Sequence, residues 1–239
     1  MKRALWVLLI VLAAGMAFVA YNDVSANVTP DDKVYAERIL RETGHGDILD
    51  TAPPADFDHQ VRTILAVQDA VLSIASDNVG IALNREREPS DLYRAKSGLC
   101  YDRSRAIEKI LSHLGFEVRH AAVYSLKDTD SRLKSFLTPK TQSHAVTEVK
   151  TDRGWLVIDS NKRWVGLTRE GEPVDLNKLQ ETGANRQAWD LRLEEPMSPI
   201  LTDRFTYLFG LYSRHGRFYP PFTPIPDTDW NQIGYNITE

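Results

Sequence analysis

The chain opens with Lys2 and Arg3, followed by an unbroken apolar run from Ala4 to Ala20 that Tyr21, Asn22 and Asp23 close abruptly. At 17 residues the run exceeds the ~7–15 of a signal-peptide core and meets the lower end of the ~17–25 that span a bilayer. Val24-Ser25-Ala26 offers small residues for cleavage before Asn27. The pattern therefore predicts residues 1–26 as a targeting segment containing one apolar helix, either an uncleaved anchor or a cleaved signal. With Lys2 and Arg3 kept on the cytoplasmic side, both alternatives carry residue 27 onward across the membrane. The expected address is the inner membrane facing the periplasm, or the periplasm and beyond if the segment is removed.

Val34, Ile39 and Leu40 among charged residues predict a short helix from Asp31 to about Thr43, started by Thr29 and Pro30 and stopped by Gly44 and Gly46. A turn-rich stretch through Pro53 and Pro54 follows. Phe57, Val61, Ile64, Leu65, Gln68, Val71, Leu72 and Ala75 then recur at steps of three and four, the period of one helix face. Gln68 is the polar intruder on that face. Asn84 to Ser97 reads as a charged loop. Ala106, Ile107, Ile110, Leu111 and Leu114 mark an amphipathic helix capped by Gly115, which puts Cys100 in its first turn. Three strands are expected at Val118–Tyr124, Ser143–Lys150 and Trp155–Asp159, with a polar loop from Ser125 to Gln142 and a turn over Thr151–Gly154. Helices followed by a small antiparallel sheet make an α+β layout. The division expected is a lead-in over 27–56, a main domain over 57–190 and an ordered arm over 191–239. In the arm, aromatic residues concentrate between Phe205 and Tyr235 with Pro220, Pro221, Pro224, Pro226, Arg214, His215 and Arg217, a surface suited to an envelope protein or glycan.

Composition narrows the chemistry. The 239 residues carry 29 basic and 33 acidic side chains, a formal charge of −4 with no cationic stripe, which argues against nucleic acid as a partner. One cysteine excludes an internal disulfide framework, a Cys-x-x-Cys pair and any multi-thiolate metal site. No His/Asp/Glu cluster has ligand spacing and no loop is of the EF-hand type, so no metal or other cofactor is expected. The Asn-x-Thr matches at Asn27 and Asn236 read as chance.

A lone thiol in an oxidising compartment asks for a reason, and a helix N-terminus supplies unpaired N–H groups and a positive dipole end to a thiolate. Lys96, Arg103 and Arg105 are near in sequence. A base must come from six histidines: His45, His59, His113, His120, His144 and His215. A hairpin with an even turn at 151–154 pairs Lys150 with Trp155. It then sets His144, Val146 and Glu148 on one face with Trp155, Val157 and Asp159. Asp159 falls opposite Val146, diagonal to His144 and within reach of a carboxylate-imidazole bond. A two-residue shift would make them direct partners. Glu148 is a competitor for the imidazole, and His120 an alternative base.

These residues resemble a known pattern. Gly98-Leu99-Cys100-Tyr101-Asp102-Arg103-Ser104, Ser143-His144-Ala145-Val146-Thr147-Glu148-Val149 and Gly154-Trp155-Leu156-Val157-Ile158-Asp159 resemble the three motifs of the transglutaminase-like superfamily, whose core is similar to papain-type cysteine proteases. The resemblance covers about Phe57 to Val165. Val146 departs from a frequent Trp, and Ser160-Asn161 from a frequent Pro-Thr pair. It implies helices packed on a small antiparallel sheet, with Cys100 as nucleophile, His144 as general base and acid, and Asp159 as orienting carboxylate. The oxyanion hole would include the Cys100 N–H, with Gln68 or Tyr93 as guesses for a second donor. The implied activity is amide hydrolysis on a peptide or protein in the cell envelope through a thioester. Acyl transfer to an amine, as in transglutaminases and transpeptidases, and a non-catalytic tethered binding module are the alternatives.

Overall fold

A computed structural model describes residues 2–50, 56–129, 131–181 and 195–238, apart from the side chains of residues 2–5, 8 and 238. The Pro53–Pro54 stretch and the domain boundary expected at residue 190 lie outside the described residues. The chain runs α1 (Lys2–Asn22), α2 (Pro30–Glu42), a 3-10 turn (Gly46–Leu49), α3 (Phe57–Ile74), α4 (Pro89–Ala95), α5 (Cys100–His113), β1 (Val118–Ser125), α6 (Arg132–Leu137), β2 (Ser143–Thr151), β3 (Gly154–Asp159), α7 (Leu176–Glu181), α8 (Pro199–Thr202), β4 (Phe205–Phe209), β5 (Leu211–Tyr212) and β6 (Asp227–Thr228), with short helical turns at Trp230–Ile233 and Tyr235–Thr238. The layout is α+β. Among the described residues no helix is long and apolar enough to cross a membrane.

Local chemistry accounts for the element ends. Thr29 caps α2 by accepting from the Asp32 N–H while Asp32 accepts from the Thr29 N–H, a reciprocal capping box that satisfies two otherwise unpaired donors. Asp56 caps α3 through the His59 N–H. Gly115, at φ +90°, ends α5 in the left-handed region that a side chain disfavours.

Four antiparallel strands lie in the order β3-β2-β1-β4. The β2–β3 register pairs Lys150 with Trp155 and Val146 with Asp159, the first of the two registers expected from the even turn. The fourth strand is a correction: Phe205–Phe209, read as part of an arm, pairs with β1 in the sheet. Two expected loops also hold helices, α4 within 84–97 and α6 within 125–142.

One core layer packs α2, α3 and α5 against Val149, Leu156 and Ile158. The other sheet face, with Ala121, Val123, Val146 and Val157, is covered by Trp164, Leu176, Leu179, Ile200 and Leu201. Ile107 and Ile110 of α5 are fully buried, each worth roughly 1.5–3 kcal/mol. The opposite, charged face of α5 is buried too. Its Arg105 pairs with Glu88 and Glu108, and its Lys109 pairs with Asp32. Both strand edges are occupied. Residues 165–174 bond along β3 through Val157, and the Asn236 side chain both accepts from and donates to the backbone of Phe209 on β4.

Candidate active site

Cys100 is the first residue of α5, half-buried and a free thiol. Its placement depends on the residues around it. The Asp102 carboxylate reaches back to the Leu99 N–H (2.9 Å) and across to the Ile81 N–H (3.2 Å), while its other oxygen pairs with Arg87. Gly98 allows this packing, because a Cβ there would lie 2.9 Å from a Leu92 methyl and 3.1 Å from the Asp102 Cβ. The first turn of α5 is thus tied to the preceding loop by a buried carboxylate, and the thiol sits at a fixed point on the helix end.

His144 comes from the start of β2, beyond the point where β3 stops. β3 ends at Asp159 opposite Val146, so no β3 residue faces His144 across the ladder. The His144 Nε2 lies 2.9 Å from Asp159 Oδ1, with both side chains buried. With Nε2 taken by Asp159, the Cys100 thiol also acts on the imidazole and favours its charged form. The diagonal geometry expected from the register therefore brings His144 and Asp159 together. Val146 and the Ser160-Asn161 pair fit into this frame. Ser160 Oγ donates to the Ala145 carbonyl at 2.5 Å, and the Asn161 N–H donates to Asp159 Oδ1 at 2.9 Å.

Burial is the largest influence on His144 and opposes its charge, but Asp159 and the Cys100 thiol outweigh it and push the imidazole up to about 10. Burial likewise opposes ionisation of Asp159, and the His144 charge with the surrounding donors holds the carboxyl below its ordinary value. Those donors include a residue sequence reasoning missed. Ser198 donates its N–H to Oδ2 at 2.7 Å and its hydroxyl to Oδ1 at 2.9 Å. It lies 39 positions downstream of Asp159 with no motif around it, so no local signal could have found it.

The other candidates fall elsewhere. Gln68 donates Nε2 to the carbonyls of Asp159 (2.7 Å), Lys162 (2.9 Å) and Trp164 (2.7 Å), so it fixes the loop after Asp159 and offers no donor to an oxyanion. Tyr93 donates to Glu42 at 2.6 Å on the α2–α4 side. Glu148 does not compete for the imidazole: it pairs with Arg119 at 2.6 Å and accepts the Leu176 N–H. His120 is buried against Ser104 Oγ at 3.0 Å and stacks on Tyr212, and burial lowers it to about 4. Of the three nearby cations, Lys96 pairs with exposed Glu42 and Arg105 with Glu88 and Glu108. Arg103 interacts electrostatically with Cys100. Its guanidinium also binds the carbonyls of Ala75 and Asp77 and the Asn161 side chain, joining the helix start to the loop after Asp159.

Beyond the α5 terminus the sheet face is covered by rings. Tyr124 meets Phe136 of α6 edge-on at 5.1 Å and Phe222 at 6.4 Å, and Phe218 packs on Tyr101 and Tyr219. Cys100 packs against the same cluster, so the thiol has an aromatic wall on one side. Among the described residues no group of three or more His, Cys, Asp or Glu could hold a metal ion.

The arrangement is a thiol at a helix start, an imidazole and a buried, fully hydrogen-bonded carboxylate, which suits nucleophilic attack on a carbonyl. Residues 58–160 match the family model of the Transglutaminase-like superfamily. No curated protein sequence matches the chain. Among solved structures, a candidate cysteine protease from Cytophaga hutchinsonii is similar at 14% identity and a TM-score of 0.39, over 56% of this chain and 39% of that one. The present chain thus matches well under half of that protein's length.

Proposed function

From a chain whose residues 58–160 are transglutaminase-like, we propose a cysteine-dependent amide hydrolase with Cys100 as nucleophile, His144 as proton carrier and Asp159 as orienting carboxylate. The observation that carries the reading is the His144–Asp159 bond at 2.9 Å, beside a thiol that acts on the same ring. In the first step the Cys100 sulfur forms a bond to the substrate carbonyl carbon. The carbon–nitrogen bond breaks, and the amine leaves with a proton from the His144 imidazolium. The oxyanion between these events meets the Cys100 N–H at the open start of α5. In the second step water attacks the thioester, His144 takes its proton, and the carbon–sulfur bond breaks to release the acid and return the thiol. An amine in place of water would make the same site an acyltransferase. The aromatic wall beside Cys100 favours an acyl group with an apolar side chain.

The test is the rate of iodoacetamide labelling of Cys100 at neutral pH, read by intact mass. His144→Ala and Asp159→Asn should each slow it at least about tenfold, the scale of general-base assistance. Equal rates in wild type and variants would overturn the triad and favour a non-catalytic module.

The N-terminal sequence supports an envelope address. Lys2 and Arg3 precede an apolar run of 17 residues, about 26 Å of helix against roughly 30 Å of bilayer hydrocarbon. This reading has residues 27–239 on the far side of the membrane.

A further inference from the structure

We propose that residues 1–26 remain attached in the mature protein, and that the junction at residues 21–27 seats the folded domain directly on a lipid bilayer without a flexible linker. The proposal rests on the envelope reading above and is independent of the chemistry at Cys100.

The residues that a signal peptidase would need as an extended, accessible site are part of the fold. Val24 is 2% exposed, and its N–H donates to the Thr228 carbonyl at 3.0 Å. Asp23 forms a parallel bridge with the same Thr228, on β6. Arg105 donates to the Ser25 carbonyl at 2.8 Å, and the Lys109 ammonium binds the Asn27 carbonyl. Both cations are buried on α5, the helix that begins at Cys100. Just before the bridge, the Tyr21 ring stacks on His215 at 4.0 Å, and Arg214 reaches the Tyr21 carbonyl at 3.4 Å. A chain cut after Ala26 would lose the Val24 contact and the bridge to Thr228. It would remove one acceptor from buried Arg105 and place a new ammonium at Asn27, beside the Lys109 ammonium.

The partner follows from α1. Trp6, Val7, Ile10, Val11, Met16 and Phe18 are all exposed, and successive residues in a helix point some 100° apart, so no single face accounts for them. The described side chains between Trp6 and Ala20 are all exposed, and an apolar surface of that extent calls for an apolar solvent. Tyr21, 57% exposed, lies at the end of α1 where it meets the domain, an aromatic residue of the kind expected at a lipid–water interface. Because α1 ends at Asn22 and Asp23 is already paired, the distance from the bilayer to Cys100 is set by the fold.

The experiment uses the full chain with a C-terminal tag, expressed in a bacterium and fractionated with a carbonate wash, with the N-terminus read by intact mass. The expected result is a chain retaining residues 1–26 that stays in the membrane pellet. A mature chain starting at or near Asn27 overturns the retained segment, and an unprocessed chain in the soluble fraction overturns the lipid seat. Two shortened chains, starting at Tyr21 and at Asn27, then test the junction. The second should melt roughly 5–10 °C lower, and equal melting overturns the structural role given to residues 21–26. None of these readouts depends on Cys100 chemistry, so a failed labelling test leaves them intact, and the reverse also holds.

Discussion

Replacing Asp159 by asparagine keeps the side chain's volume and removes one charge from a fully buried pair. The carboxylate accepts from His144 Nε2, the Asn161 N–H and both donors of Ser198, at 2.7–2.9 Å. An amide must turn its NH2 toward at least one of these donors. Breaking one partner of a buried pair costs about 3–5 kcal/mol, and at about 2–4 °C per kcal/mol for a chain of this size the melting temperature should fall by roughly 10 °C. Part of that loss depends on pH. His144 is raised to about 10 from an ordinary ~6.5, so its contribution is fully present below pH ~6.5 and is lost as pH climbs toward 10. Asp159 is lowered, so its contribution is present above its ordinary ~3.9 and is lost as pH falls below that. The pair therefore stabilises most between pH ~4 and ~6.5. Thermal unfolding of wild type and variant at pH 5.5 and pH 9.5 should give a gap that at least halves at the higher pH. An NMR titration should find the variant's imidazole below 6.5, because burial then acts with only the thiol against it. A gap of equal size at both pH values, or a variant imidazole still titrating above 8, would refute the reasoning.

Other perturbations follow the same physics. Gln68→Leu leaves three carbonyls without their shared donor and should destabilise by about 2–4 kcal/mol in urea unfolding while slowing Cys100 labelling, since the Asp159 loop loses its anchor. Glu148→Ala removes the buried carboxylate that Arg119 binds at 2.6 Å and should cost about 3–5 kcal/mol, whereas replacing both Glu148 and Arg119 by methionine should cost less than either single change. His120 sits below its ordinary value, so the unfolded chain binds the extra proton and stability falls as pH drops from ~6.5 toward 4; His120→Gln should flatten that part of the stability profile. Ser198→Ala should slow iodoacetamide labelling less than Asp159→Asn does, because the Ser198 N–H remains on Oδ2.

What the sequence made legible was local. The even turn at Asp152–Arg153 set the hairpin register, and the register set His144 diagonal to Asp159, so the constellation could be drawn from spacing and the three motifs. What it hid was of two kinds. Short elements carry too few apolar positions to register: α4 buries only Pro89, Ser90 and Leu92, and α6 only Ser135. Long-range pairings leave no periodic trace. Phe205–Phe209 is a strand because β1 has an open side, and Ser198 reaches Asp159 because the chain returns after 39 residues. The burial of the charged face of α5 was hidden for a related reason. Arg105, Glu108 and Lys109 look like a solvated stripe until their partners Glu88, Asp32 and Tyr212, all remote in sequence, close over them.

The amide of Asn236 has a consequence for how molecules of this protein meet one another. Its Oδ1 accepts the Phe209 N–H at 2.8 Å, and its Nδ2 donates to the carbonyls of Phe209 (3.1 Å) and Ile233 (3.2 Å). One side chain thus imitates a residue of a fifth strand and closes the outer ladder position of β4 to a neighbouring chain. Both Nδ2 hydrogens are engaged, so a sugar attached at Asn236 would displace one of these bonds and reopen that edge. Asn236→Ala would leave the Phe209 backbone unpaired at the rim of the sheet, and its first symptom would be edge-to-edge self-association at high concentration.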